Sequence, residues 1–450
     1  GHAYQVVMPM TVTKAKEGHT VENTATQVTN DRRDKTNTVT NPLKEINPTK
    51  DVTVKVGGDS IDGKSVYLNH TFLYRLDSSI LPPDRAYQTV TDWGGTDQLN
   101  TEYDQYLGNW AVYASRDLYR DGQVLAARGE KIAGSGFDSS KFGGNLFTVD
   151  ADDNGKVTAD ATQTYLDLVS ADNEHEAGWV LYLQCKRIAV ADEVPNTWTE
   201  TINGQPRESN KVVTKTPDMT PSIHLEKVDT PTLKQDGQEQ ADRDDPKQAL
   251  KMDADSIGIT FIITNTSKTD PATGDGAWYK ASDLNLADST IVGDAHVDMD
   301  SLTYPADWDT LVLKPGESVS VTGTLKGVKE GDTHTDRAIV TGTPLVECAP
   351  SNGDPFNDKT DGGEDTDPEY STGDVTEIDG KQLCADTQTA SNTDDWNGYR
   401  AKPLASTGVA VLGLAGGALA VLLAGGSLLV FRKRHYAQGS GRHTAVNAGK

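Results

Sequence analysis

The sequence predicts an all-β chain of tandem sandwich domains that ends in one apolar helix. Short runs alternate apolar and polar residues with a period of two, as in Val52/Val54/Val56, Ile257/Ile259/Phe261/Ile263 and Val312 with Val319 and Val321. Clusters of Gly, Asp, Asn and Pro separate these runs, and no window before Val409 carries the periodicity of a long amphipathic helix. One short helix is expected over 162–169. The third observation is the uncharged apolar run 409–431, long enough to cross about 30 Å of hydrocarbon as a helix. Arg432-Lys433-Arg434-His435 follows it and stays cytoplasmic by the positive-inside rule.

Proline-rich joints place the boundaries. Asn41-Pro42 to Asn47-Pro48 closes an incomplete N-terminal domain, 1–46. Lys215-Thr216-Pro217 to Pro221 separates a full domain, 47–216, from another, 217–400. Ala401-Lys402-Pro403 opens the terminal segment 401–450. Val21-Glu22-Asn23-Thr24 is similar to Val194-Pro195-Asn196-Thr197, so the first two units read as diverged copies of one module. Tandem β-modules on short stiff linkers make a stalk.

Composition narrows the function. A net charge of -25 argues against nucleic acid as a partner and suits a solvated extracellular surface. Gly1 is followed by no basic and apolar leader, although the apolar C-terminal run implies export, so a longer precursor is expected. Three cysteines are too few for a disulfide scaffold. Cys348 and Cys384 flank a Gly/Asp/Pro-rich loop and can pair across it; Cys185, in the strand-like run Trp179-Val180-Leu181-Tyr182-Leu183-Gln184-Cys185, reads as a buried free thiol. Asp150-Ala151-Asp152-Asp153-Asn154-Gly155 matches the front of a calcium loop, but Ala161 stands where the twelfth ligand is needed, so a hairpin turn explains it better. The acidic run 354–369 could hold Ca²⁺, but Asp/Gly/Pro loops of this kind are usually just solvated. The nine histidines lack metal-ligand spacing, and no phosphate loop or nucleophile elbow occurs. No cofactor and no multiple-turnover enzyme are therefore expected.

Leu404-Ala405-Ser406-Thr407-Gly408, directly before the apolar run, resembles the LPxTG sorting signal in the LAxTG form used by class E sortases of actinobacteria. Ala405 in place of proline is the departure. The resemblance implies that a sortase cysteine attacks the Thr407 carbonyl, that Gly408 leaves, and that a peptidoglycan amine takes the acyl group. The helix then holds the chain in the membrane only until cleavage.

Residues 47–216 resemble a C-terminal domain of the antigen I/II family of streptococcal surface adhesins. The resemblance rests on Ile46-Asn47-Pro48-Thr49-Lys50-Asp51-Val52-Thr53, Ile61-Asp62-Gly63-Lys64, Tyr182-Leu183-Gln184-Cys185-Lys186-Arg187-Ile188-Ala189-Val190 and Asn196-Thr197-Trp198-Thr199-Glu200-Thr201-Ile202-Asn203-Gly204. Met8-Pro9-Met10-Thr11-Val12 marks 1–46 as the tail of a preceding copy. The resemblance implies immunoglobulin-like sandwiches, each locked by a self-formed Lys–Asn isopeptide bond. It maps that bond onto Lys50 and Asn196, with Asp92 as the assisting acid and Asp77 and Asp97 as second choices. Asn23 is mapped as the acceptor of the preceding domain, whose lysine precedes Gly1. Alternation supports the mapping: Lys50 shares parity with Val52, and Asn196 with Trp198 and Ile202, so both face inward. Burial lowers a lysine pKa and frees the amine, and a buried protonated carboxyl can polarise an amide carbonyl.

Residues 217–400 more loosely resemble repeat domains of actinobacterial surface proteins, through Ile259-Thr260-Phe261-Ile262-Ile263-Thr264-Asn265-Thr266 and Leu313-Lys314-Pro315-Gly316-Glu317-Ser318-Val319. Lys227 shares parity with Ile223 and Leu225, so a second bond from Lys227 to Asn392 or Asp394, assisted by Asp255, stands beside a plain structural sandwich. The expected function is a wall-anchored stalk outside the cell. It presents an upstream head to a host or bacterial ligand, and its own partners are sortase, peptidoglycan and, before sorting, the membrane. Two other readings stay open: these domains bind a surface ligand themselves, or they anchor an upstream enzyme.

Overall fold

The structure is a computed structural model that describes residues 5–10, 19–85, 88–230, 234–235, 238–239, 243–349, 356 and 375–403. Strands dominate, and the sequence from Pro48 to Thr216 forms two facing five-stranded sheets. One is ordered β5-β4-β8-β2-β1 from Lys131–Gly134 (β5), Asp104–Ala114 (β4), Trp179–Arg187 (β8), Thr71–Asp77 (β2) and Thr49–Thr53 (β1). The other is ordered β6-β7-β3-β10-β11 from Phe147–Ala151 (β6), Lys156–Ala161 (β7), Trp93–Gln98 (β3), Trp198–Ile202 (β10) and Gln205–Glu208 (β11). Ala191–Asn196 (β9) pairs separately with Val212–Thr216 (β12). All of these ladders are antiparallel.

Both sheets send alternate residues into one core, in which Trp93, Trp179 and Trp198 meet Phe147 and Tyr165. Gly95 makes room for this. A Cβ there would come within 2.6 Å of the Trp198 ring, so only glycine lets the indole lie across β3. Helix α1, Gln163–Ala171, covers one end of the core with Tyr165, Leu166, Leu168 and Val169. The turn at Asp152 closes the β6–β7 hairpin, its carboxylate accepting the N–H groups of Asn154 and Lys156. Val54 does not continue the inward face expected of it. Strand β1 ends at Thr53 and Val54 is half exposed, because a tight turn carries the backbone back to pair with Ser60.

The second sandwich repeats the plan. Ile223–Thr230 (β13), Ser256–Asn265 (β15), His296–Val297 (β17) and Ser318–Lys326 (β18) form the sheet β13-β15-β18-β17. Leu250–Lys251 (β14), Asn285–Val292 (β16), Thr333–Gly342 (β19) and Ala390–Tyr399 (β20) form the sheet β14-β20-β19-β16. Its core gathers Leu225, Ile259, Phe261, Ile263, Val321, Val340 and Trp396. The sandwiches touch. Ser65 donates to Asp270 at 2.9 Å, and Tyr67 donates to Asp275 at 3.0 Å, a carboxylate that also pairs with Lys381. Phe356 packs against Leu73, Ala111, Val180 and Tyr182 on the outer face of the first sandwich.

The N-terminal strands are two exposed ribbons, Thr20–Asn23 with Val39–Pro42 and Thr26–Thr29 with Arg32–Lys35. Among the described residues no helix is long and apolar enough to cross a membrane. The run 409–431, the basic residues after it, Leu404-Ala405-Ser406-Thr407-Gly408 and nearly all of the acidic run 354–369 lie outside the described residues.

Cys348 is joined to Cys384, 36 residues on, beside the small sheet of Leu345–Glu347, Thr376–Ile378 and Lys381–Ala385, and Cys185 is a buried free thiol. A link closing such a loop restricts the unfolded chain by about 3–4 kcal/mol. Reduction, or the pair Cys348→Ala and Cys384→Ala, is therefore expected to lower the unfolding midpoint of the second sandwich. Chemical denaturation with and without reductant measures this, and coincident curves would refute it.

Candidate functional site

Lysine is rarely interior because burying its charge is costly. Lys50 is 3% exposed, and the sequence places it there by strand parity: Lys50 and Val52 face inward while Thr49 faces out. Its backbone is held on both sides by one side chain. Asn210 Oδ1 accepts from Lys50 N at 2.8 Å, and Asn210 Nδ2 donates to Lys50 O at 2.8 Å. Sequence reading missed Asn210, which lies in a loop without periodicity. The Lys50 ammonium lies 4.4 Å from the centre of the Tyr74 ring and pairs with the Asp97 carboxylate. Burial pushes the Lys50 amine below its ordinary range, with Asp97 opposing.

The partner acid departs from expectation. Asp92 stands just before β3 and points away from the core; its carboxylate accepts from Gly204 N at 3.0 Å. Asp77 is turned to Arg75 at 2.7 Å. Asp97 is the residue brought to Lys50, because it shares parity with Trp93 and Gly95 on the buried face of β3. Asp97 lies five residues on from Asp92, about 16 Å along the strand.

Asn196 ends β9, two residues before Trp198, and Trp198 is the register partner of Asp97. The Trp198 Nε1 donates to Thr49 O at 3.0 Å, next to Lys50. One tryptophan thus ties together the three segments that carry Lys50, Asp97 and Asn196. Asn196 is 6% exposed, and neither its Oδ1 nor its Nδ2 has a hydrogen-bond partner; Asp97 Oδ1 is also unpartnered. Each such orphan costs about 1–3 kcal/mol, so a native core keeps them only for a reason.

Behind Tyr74 lies a second layer that sequence reading missed. Tyr74 donates to Asp104 at 2.8 Å, and Arg187 donates to Asp104, Thr214 and Thr216, each at 2.7 Å. Both charges of this pair are fully buried. The signal was present in Arg187, which keeps the parity of Leu181, Leu183 and Cys185 along β8.

In the second sandwich Lys227 is fully buried on β13, and the expected partners are not the ones it meets. Asn392 accepts from Leu225 N at 3.0 Å, and Asp394 accepts from Lys227 N at 2.6 Å, so both hold backbone. Asp255 is exposed in a turn where its carbonyl accepts from Gly327 and Val328. The amine instead meets Asp288 at 2.5 Å and Asp336 at 2.6 Å. Asn23 is exposed at the end of its ribbon. Among the described residues, no group of three or more His, Cys, Asp or Glu side chains is arranged to hold a metal ion. A surface depression of about 560 Å³ beside α1 is lined by Tyr119, Arg120, Asp167, Asn173 and His175, with Tyr119 stacked on His175 at 3.7 Å.

The first of the two β-sandwiches thus holds a buried Lys–Asp pair and an orphaned asparagine. The comparisons give the family. Residues 47–217 match the model for the cell surface antigen C-terminus, and residues 1–43 match the cell surface antigen I/II C2 terminal domain. These two segments belong to the C-terminal region of the antigen I/II family of surface adhesins. The aggregation substance of Enterococcus faecalis is 35% identical over 221 residues, covering 48% of this chain and 16% of that protein. The C-terminal domain of an antigen I/II-family protein of Streptococcus pyogenes is 28% identical, with a TM-score of 0.38, over 44% of this chain and 54% of that one. The corresponding domain from Streptococcus agalactiae is 23% identical, with a TM-score of 0.38, over 44% of this chain and 58% of that one. The chain therefore spans only part of the length of the relatives it matches.

Proposed function

We propose that this chain is the stalk and wall-anchoring region of a surface adhesin, made of immunoglobulin-like modules of which the first is locked by a Lys50–Asn196 isopeptide bond. The observation that carries the reading is the buried region in which Lys50 is hydrogen-bonded to Asp97 while both polar atoms of Asn196 lack hydrogen-bond partners. In the reaction the Lys50 ammonium first gives one proton to the Asp97 carboxylate, which keeps it at the end, and the Nζ lone pair then adds to Asn196 Cγ. Asp97 passes a proton from Nζ to Nδ2, the Cγ–Nδ2 bond breaks, and ammonia leaves. The product removes a buried ammonium and the orphaned Nδ2, while Oδ1 stays as the carbonyl oxygen of the new amide. Asn196 stands in β9 rather than in a last strand, with β10 to β12 following it; a bond from β1 to β9 carries force past the ladders between them, which suits a tether. A single-turnover reaction of this kind makes the chain its own substrate.

The C-terminal motif supports the other half of the proposal. Thr407 becomes the residue joined to peptidoglycan, and the run after Gly408 is discarded. Thr407→Ala, or loss of the sortase, is expected to move the protein from the wall fraction to the membrane or medium. Unchanged wall amounts in both strains would refute anchoring. A second reading, direct binding by these domains to a host or bacterial ligand, is favoured by the depression at Tyr119 and His175. Adhesion that survives removal of every upstream domain would favour it.

A further inference from the structure

Lys227 repeats the surroundings of Lys50 point by point. Each lysine lies on the first strand of its sandwich and is buried. Each backbone N–H donates to a side-chain oxygen, Asn210 at 2.8 Å in one case and Asp394 at 2.6 Å in the other. Each ammonium lies over an aromatic ring, Tyr74 at 4.4 Å and Phe261 at 5.5 Å. Each is hydrogen-bonded to one aspartate of the opposite sheet, Asp97 or Asp288. Beside each pair lies one more carbonyl-bearing side chain with no hydrogen bond. In the first sandwich it is Asn196, and in the second it is Asp336, whose two oxygens are both unpartnered although Lys227 Nζ is 2.6 Å from Oδ2.

The geometry points to an amide bond between Lys227 and Asp336, formed with loss of water and assisted by Asp288. The inference rests on the reading of the first cluster as self-cross-linking, but uses none of its residues. The ammonium first gives a proton to the Asp336 carboxylate. The Nζ lone pair then adds to Cγ, and Asp288 relays one Nζ proton to the departing hydroxyl, which leaves as water. Asp288 ends as it began, and one ammonium and one carboxylate have become one amide and one water. No oxidant or nucleotide is needed.

Three features favour this assignment of roles. One ammonium faces two carboxylates in a buried core, Asp288 at 2.5 Å and Asp336 at 2.6 Å, and burial pushes the Asp288 carboxyl upward, with Lys227 opposing and Asp336 reinforcing. Asp336 lies on β19 beside β16, its register partner being Thr290, so Asp288 is a near neighbour on the same face. His334 also faces inward, its Nε2 3.1 Å from Asp336 without hydrogen-bond alignment, so no donor holds the Asp336 carboxyl in place. In water an acid and an amine stay ionised and separate. Burial penalises that ionised pair, and the neutral amide is relieved of the penalty. The bond would staple the two sheets of the second sandwich.

The test is a tryptic map of the purified full chain, denatured and reduced. The expected result is one branched peptide joining Lys227 and Asp336, lighter by one water than its two arms, and loss of cleavage after Lys227. Asp288→Ala is expected to restore that cleavage. A free Lys227 peptide in the unmodified chain would overturn the inference. So would a branch from Lys227 to Asp288, or to Asn392 with loss of ammonia. The first cluster is scored separately in the same map by the Lys50–Asn196 branch, so either bond can fail without the other.

Discussion

Asn196→Ala in the full chain is expected to leave Lys50 unlinked and to lower the unfolding temperature of the first sandwich by about 10–20 °C. A bond closing nearly the whole domain restricts the unfolded chain by about 4–5 kcal/mol, and each kcal/mol moves the midpoint of a domain this size by about 2–4 °C. This variant keeps the Lys50–Asp97 pair, so it isolates the covalent term. Asp97→Ala is expected to cost more. It removes the relay and also strands a buried ammonium, a loss of about 3–5 kcal/mol beyond the bond. Calorimetry ranks the variants, and intact mass shows whether ammonia has been lost. Equal midpoints for the native chain and Asn196→Ala would sink the cross-link. Ammonia lost in the presence of Asp97→Ala would sink only the role given to the acid.

The sequence made the sheets legible because period-two alternation is a local signal. It placed Lys50, Asn196 and Lys227 inside for the same reason that it placed Val52, Trp198 and Leu225 there. The acids were harder. Asp92 follows Val90 in a strand-like run, but the strand begins one residue later, at Trp93, and register decides which carboxylate is buried. The shared parity of Trp93, Gly95 and Asp97 is the signal that marks Asp97 as the buried acid. In the second sandwich His334 and Asp336 share parity with Ala338 and Val340 along β19, which marks them as inward-facing charges. What alternation does not show is which strands of opposite sheets face one another. Lys227 therefore could not be matched with Asp288 and Asp336 from the chain alone. Asn210, which holds the Lys50 backbone, lies in a loop and leaves no periodic trace, whereas Asp394 keeps the parity of Trp396 along β20 but alternation does not show that it meets the Lys227 backbone.

Arg187→Ala tests whether the layer behind the cluster supports it. The variant leaves the Asp104 carboxylate without its cation and takes the donors from Thr214 and Thr216, while Tyr74 still donates to Asp104. A stranded buried charge costs about 3–5 kcal/mol, so a large drop in the urea midpoint is expected at neutral pH. Arg187→Lys should recover only part of it, because an ammonium cannot reproduce three bonds made by a planar fork. The pH dependence has a definite sign. Burial already holds the Asp104 carboxyl above the usual carboxylate range, with Arg187 opposing. Removing Arg187 raises it further, so the folded variant prefers the protonated acid. Its deficit should be full above the raised value and shrink as pH falls toward the ordinary carboxylate range, where the unfolded chain is protonated too. The same variant should form the Lys50–Asn196 bond more slowly, because the hydroxyl of the Tyr74 ring that lies against Lys50 is held by Asp104, which loses its cation. Urea curves at two pH values and a time course of ammonia loss read both effects. A midpoint deficit that does not change with pH would show that packing, not the Asp104 charge, is what Arg187 supplies.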